Sequence, residues 1–144
     1  MDKVIISLKF MQNMERFATK VYKKQIRAFI GHEIADRLKV AANNEQEHVD
    51  ILTKRIEELK GTQPKMGIFF HIAGAIFGIK TTLLGKVLLL KTDIWIEKRA
   101  VQDYGKFLQK IDFDEATITI INNIIQDEKR HIETWEDSIK ITKG

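Results

Sequence analysis

The sequence predicts an all-α protein: an antiparallel four-helix bundle with an apolar crossover between helices 2 and 3. Three observations predict it. Apolar residues recur at helical spacing through four long stretches. The single proline of the 144 residues, Pro64, lies in Gly61-Thr-Gln-Pro-Lys-Met-Gly67 and splits the chain in two. The second half then repeats the first: Glu15 and Glu97 are 82 positions apart, Glu45 and Glu128 are 83 apart, and so are His48 and His131. Tyr22 and Tyr104 follow Glu15 and Glu97 by seven residues each.

The elements follow in order. The first helical stretch covers roughly residues 2–30, ends before Gly31, and carries Leu8, Met11, Glu15, Ala18, Tyr22 and Phe29 on one stripe. The second covers roughly residues 32–60, with Gly61 as its stop, and carries Ile34, Leu38, Ala41, Glu45, His48, Leu52, Ile56 and Leu59. An apolar crossover begins near Met66. The third helix runs to about Lys110 with Val87, Leu90, Ile94, Glu97, Val101, Tyr104 and Leu108 facing inward. The fourth runs from about Glu115 to Thr142 with Ile121, Ile124, Glu128, His131 and Trp135. Asp112-Phe-Asp-Glu115 resembles a capping box opening it, with aspartate in place of Ser or Thr.

The residues that break the apolar pattern carry the chemistry. Glu45-Gln-Glu-His48 and Glu128-Lys-Arg-His131 are two Glu-x-x-His motifs, each with a glutamate about thirty residues upstream, Glu15 and Glu97. All six occupy core-facing positions, so four carboxylates and two imidazoles converge on one level of the bundle. That is the donor set of a carboxylate-bridged dinuclear metal site. Four buried carboxylates repel one another and cost several kcal/mol each unless cations offset them. No lysine or arginine falls on these stripes at that level, whereas two divalent ions balance four carboxylates. The oxygen and imidazole donors suit iron or manganese, and zinc also fits them. Glu45 and Glu128 are expected to bridge, Glu15 and Glu97 to be terminal, and His48 and His131 to serve one metal each. Asn44 and Asp127, each just before a bridging glutamate, are candidates to orient the imidazoles. Tyr22 and Tyr104 are candidates to hydrogen-bond the terminal carboxylates or to assist electron transfer, with aromatic packing as the alternative. His32 and His71 lack a glutamate three positions earlier and are left out of the site.

Composition narrows the class. The length suits one domain, residues 1–144, with a core of its own. The absence of cysteine removes disulfide frameworks, thiolate zinc sites and iron–sulfur clusters, and points to a reducing compartment. The opening Met-Asp-Lys and the helical pattern after it are unlike a secretory signal, so the expected location is cytoplasmic or peripheral to the inner face of the membrane. The net charge of +4 is spread over interleaved acids and bases. Lys20, Lys23, Lys24 and Arg27 form a local basic face, read first as solvated and otherwise as an anionic-lipid contact; no nucleic-acid motif accompanies it. Residues 66–79 carry no formal charge and are too short for a spanning helix. They suit a crossover packed on the bundle or on a partner subunit, a monotopic membrane or quinone-facing helix, or a true span. Gly74 and Gly78, four apart, permit close helix contact.

Nearly the whole chain resembles the ferritin-like di-iron carboxylate superfamily. Glu15-Arg-Phe-Ala-Thr-Lys-Val-Tyr22-Lys-Lys-Gln25 and residues 71–85 resemble the demethoxyubiquinone hydroxylase family. Asp127-Glu128-Lys-Arg-His131-Ile-Glu133 is also similar to rubrerythrin-like domains. The resemblance implies two irons held by residues matching Glu15, Glu45, His48, Glu97, Glu128 and His131. In the hydroxylase branch it also implies an apolar segment between the halves that meets membrane and quinone. Ala100 stands where rubrerythrin carries an additional carboxylate, which disfavours a peroxidase. The expected function is therefore oxidation with O2 or peroxide (H2O2) and an external electron donor, with a quinone-like lipophilic substrate first. A ferroxidase or iron-handling protein, a rubrerythrin-like scavenger and a structural bundle are the alternatives. A homo-oligomer, most simply a dimer, is the expected assembly.

Overall fold

The computed structural model describes residues 2–61, 73–74, 76–78, 80 and 85–143. Helix α1 spans Lys3–Gln25, α2 spans Glu33–Glu58, α3 spans Lys86–Lys110 and α4 spans Glu115–Lys143. Residues 73–74, 76–78 and 80 are also helical. Pro64 and His71 lie outside the described residues.

Local chemistry sets the helix ends. Asp2 caps α1 by accepting from the Val4 N–H. The first stretch stops short of its expected end near residue 30: α1 closes at Gln25, and Ile26–Phe29 tighten into a 3-10 turn. Gly31, at φ +80°, reverses the chain. His32 then caps α2, its Nδ1 accepting from the Ile34 N–H. At the far end of α2, Gly61 donates to the Ile56 carbonyl and Lys60 to that of Glu57, a Schellman closure. The left-handed position in it belongs to Lys60 (φ 60°) rather than to Gly61. Gly61 answers a different need: a Cβ there would lie 2.8 Å from Ile56 Cγ2. Helix α4 is capped by Asp114, not Asp112. Asp114 Oδ1 accepts from the Thr117 N–H, because the helix begins at Glu115 and its third residue is Thr117.

Two apolar layers fix the topology. One holds Leu8 and Met11 of α1, Leu52 and Ile56 of α2, Ala100 and Tyr104 of α3, and Ile121 and Ile124 of α4. The other holds Ala18 and Tyr22, Leu38 and Ala41, Leu89 and Leu90, and Trp135. Each fully buried Leu or Ile contributes roughly 1.5–3 kcal/mol. Helices α1 and α4 run from the first layer to the second, and α2 and α3 run from the second to the first. The contacting pairs α1/α2, α3/α4, α2/α4 and α1/α3 are therefore all antiparallel, as the four-helix-bundle expectation required. Helices α2 and α3 run parallel, so their connection must return along the bundle, about 38 Å for a 25-residue helix.

The described part of that connection packs on α1. A Cβ on Gly74 would lie 2.7 Å from the Phe17 carbonyl oxygen, one on Gly78 would lie 2.7 Å from Lys24 Cβ, and the Phe17 and Phe77 rings meet at 5.3 Å. The Lys20 and Lys24 stems thus line the crossover, and part of the basic face is packing surface. No helix among the described residues is long and apolar enough to cross a membrane. The α3 stripe is rotated from its expected face. Leu90, Asp93, Glu97, Ala100 and Tyr104 are buried, while Ile94 and Val101 are only half-buried flanks.

Candidate metal centre

Between the two apolar layers each helix presents its polar residues at one level. Helix α1 supplies Glu15, α2 supplies Glu45 and His48, α3 supplies Glu97, and α4 supplies Glu128 and His131. All six are buried. Their donor atoms fall into two groups, Glu15, Glu45, His48 and Glu128, and Glu45, Glu97, Glu128 and His131, each within 4.8 Å. Glu45 and Glu128 belong to both. His48 Nδ1 lies 3.2 Å from Glu128 Oε1 and 3.6 Å from Glu15 Oε1. His131 Nδ1 lies 2.9 Å from Glu45 Oε1 and 3.3 Å from Glu97 Oε1.

The side chains are unsatisfied without cations. Glu15 Oε1, both oxygens of Glu45, His48 Nδ1, Glu97 Oε2 and Glu128 Oε1 are buried with no hydrogen-bond partner. Buried polar atoms rarely stay unpaired, and six around one point describe an inward-facing donor shell. Their acidities agree. Burial, then the charges of Glu15 and Glu97, push the Glu45 carboxyl well up. Burial and the charges of Glu15, Glu45 and Glu97 do the same to Glu128. For His48, burial favours the neutral ring, yet the close Glu128 and Glu15 carboxylates outweigh it and push the imidazole up to about 10. Glu97 is held low: burial opposes this, but hydrogen bonding with Glu128 and His131 prevails. The cluster thus holds protons where two divalent ions fit.

Around this shell, Tyr22 donates to Glu97 Oε1. Tyr104 turns its hydroxyl to the Met11 carbonyl at 3.5 Å, the limit of a hydrogen bond. Asp127 Oδ2 lies 2.7 Å from His48 Nε2. Asn44 lies 3.4 Å from Asp127 and touches neither imidazole.

The family model described as "Ubiquinone biosynthesis protein COQ7" matches residues 7–140. The chain belongs to the COQ7 family. A comparison with curated proteins found no significant match. Membership in the COQ7 family carries the ferritin-like, demethoxyubiquinone hydroxylase resemblance over nearly the whole chain. With two Glu/His clusters sharing two carboxylates, it makes this COQ7-family protein a dinuclear, di-iron-type oxidoreductase.

Sequence reasoning missed one buried acid near the centre of this COQ7-family chain. Asp93, one turn before Glu97, is fully buried and accepts from Gln25 Nε2 at 2.8 Å, while its Oδ2 is unpartnered. Burial pushes its carboxyl well up. The signal was its spacing, since 93, 97, 100 and 104 make an unbroken helical stripe. An apolar stripe through Ile94 and Val101 hid it.

Proposed function

We propose that this chain is a di-iron carboxylate oxidoreductase that activates O2 and hydroxylates a quinone-like lipophilic substrate. Its ligands are Glu15, Glu45, His48, Glu97, Glu128 and His131. The observation that carries the reading is the pair of clusters sharing Glu45 and Glu128, in a chain matched by a family named for ubiquinone biosynthesis. Glu15 and His48 would hold one ion and Glu97 and His131 the other, with Glu45 and Glu128, which belong to both groups, within reach of each. When bound, two iron ions supply electrons for reducing O2, with manganese as the alternative metal and zinc as a redox-inert occupant.

The protein's own part is positional. Asp127 fixes the His48 ring so that Nδ1 faces the carboxylates. Tyr22 holds Glu97. The two apolar layers close the centre at both ends along the bundle axis. Without cysteine for an iron–sulfur relay, electrons come from an external donor. Exposed Ile76, Leu88 and Trp95 support contact with an apolar surface, at the inner face of a membrane.

Metal content by mass spectrometry, beside Glu128→Ala, tests the site. About two irons per chain, lost in the variant, are expected. O2 uptake by the iron-loaded protein, with a reductant and a short-chain quinone precursor, tests the substrate class. Hydroxylated quinone in step with O2 is the expected result. Iron consumed far beyond two per chain would favour a ferroxidase, and fast peroxide turnover without quinone a scavenger. A folded protein that binds no iron, manganese or zinc would sink the dinuclear reading.

A further inference from the structure

We propose that the two metal positions are inequivalent: Asp127 makes the His48 position the tight one, and the His131 position is left open to solvent. This rests on the dinuclear assignment above.

The repeat puts Asn44 and Asp127 at matching places, 83 residues apart, each just before a bridging glutamate. Their chemistry differs. Asp127 Oδ2 lies 2.7 Å from His48 Nε2, and Asp127 is itself held by Arg130 and approached by the Asn44 amide at 3.4 Å. A carboxylate behind an imidazole fixes its tautomer and ring plane and raises its donor strength. Asn44 does not return the favour to His131. Its amide lies 3.4 Å from both Glu47 and Asp127. Among the described residues nothing hydrogen-bonds His131 Nε2; the ring is held only through Nδ1, toward Glu45, Glu97 and Glu128.

Two further observations point the same way. The His131 side chain is 10% exposed against 2% for His48. A groove of about 620 Å³ lined by Val40, Ala41, Arg130, His131 and Thr134 lies between α2 and α4, and a neighbouring groove of about 460 Å³ shares His131. The terminal carboxylates are also unequal. Tyr22 donates to Glu97 and draws charge from the oxygen it binds, whereas Tyr104 leaves Glu15 alone for the Met11 carbonyl. The His48 position therefore combines the better-anchored imidazole with the less encumbered carboxylate. The His131 position loads second, empties first, and is the one water or a small ligand reaches from outside.

The test is titration of the metal-free full chain with Co(II). Visible absorbance and chelator competition give affinities, and native mass spectrometry counts the ions. In the wild type the first equivalent should bind at least about tenfold more tightly than the second. His131→Ala should keep one tight equivalent, and His48→Ala should lose it. Asp127→Asn should weaken the first equivalent by about 10–100-fold. Asn44→Asp, at a half-buried position that is not a ligand, should strengthen the second by about tenfold, because the new carboxylate is repelled by Asp127 and turned toward His131. Two equal affinities in the wild type would overturn the inequivalence and leave the dinuclear site standing. So would Asp127→Asn and Asn44→Asp shifting both equivalents alike. A chain that is helical by circular dichroism yet binds no Co(II) would overturn both readings.

Discussion

The Tyr22 hydroxyl donates to Glu97, joining α1 in the first half of the repeat to α3 in the second. A buried hydrogen bond to a charged group is worth about 1.5–3 kcal/mol. Tyr22→Phe keeps the ring against Trp135, whose centroid lies 5.3 Å away, and removes only the hydroxyl. The variant should unfold with a stability lower by about 1–3 kcal/mol. In a double-mutant cycle with Glu97→Gln, most of that loss should appear as coupling; purely additive losses would count against the bond.

Stability of the metal-free protein should fall as pH rises. Glu45, Glu128 and His48 all titrate above their ordinary values, so the folded state holds protons that the unfolded chain releases. Their stabilisation is complete below the unfolded values and is lost as pH rises through the folded ones. For His48 that window runs from its ordinary 6.5 to about 10. Glu97 has the opposite sign: its contribution is present above its ordinary value and lost only in acid. Thermal melts of the metal-free protein from pH 6 to 10 should show a declining Tm. The metal-loaded protein should lack that decline, because the ions displace the same protons.

Asp93 is pushed toward its neutral form in the folded protein, since burial, aided by the charge of Glu97, outweighs the hydrogen bond from Gln25. Asp93→Asn keeps the shape and can keep the acceptor for Gln25, so it should change stability by less than about 1 kcal/mol. Asp93→Ala removes that acceptor and opens a cavity, and should cost about 2–3 kcal/mol. Denaturant titration separates the two. An Asn variant as damaged as the Ala variant would mean that Asp93 is charged.

Lys60 holds the left-handed position of the α2 closure at φ 60°, where an L side chain costs about 1–2 kcal/mol. Glycine removes that strain but gains freedom in the unfolded chain. Lys60→Gly should therefore raise stability by about 0.5–1 kcal/mol, read as a higher midpoint in urea with an unchanged slope.

Legibility in the sequence followed the strength of the pattern. The expected stripes of α1 and α4 are buried at every position, because each alternates one polar motif with large apolar residues at strict helical spacing. Glu15, Glu45, His48, Glu97, Glu128 and His131 were readable as one set because the repeat placed them twice. What escaped was whatever the repeat does not copy. Asp93 has Met11 as its counterpart 82 positions earlier, so no symmetry pointed to it. The Asp112 cap was misplaced because two aspartates lie within three residues, and only the start of α4 decides between them. Which tyrosine reaches a carboxylate depends on side-chain reach across helices, and helical spacing does not encode that.

The seating of the crossover on α1 gives a prediction in which the sign of the effect decides. Replacing a helical glycine by alanine ordinarily stabilises by about 1 kcal/mol, since glycine has more backbone freedom to lose. Gly105 in α3 has nothing within 4 Å of where its Cβ would stand, so Gly105→Ala should follow that rule. At Gly74 the new Cβ would fall 2.7 Å from the Phe17 carbonyl oxygen and 2.9 Å from Lys20 Cβ. No rotamer change relieves a clash with backbone, so the crossover or α1 must shift, and Gly74→Ala should destabilise by about 1–3 kcal/mol. Thermal melts of the two variants side by side make the comparison, with limited proteolysis to show whether the crossover has loosened. If Gly74→Ala raised Tm as Gly105→Ala does, the crossover would not sit against Phe17 and Lys20, and the α1 face there would be free for another surface.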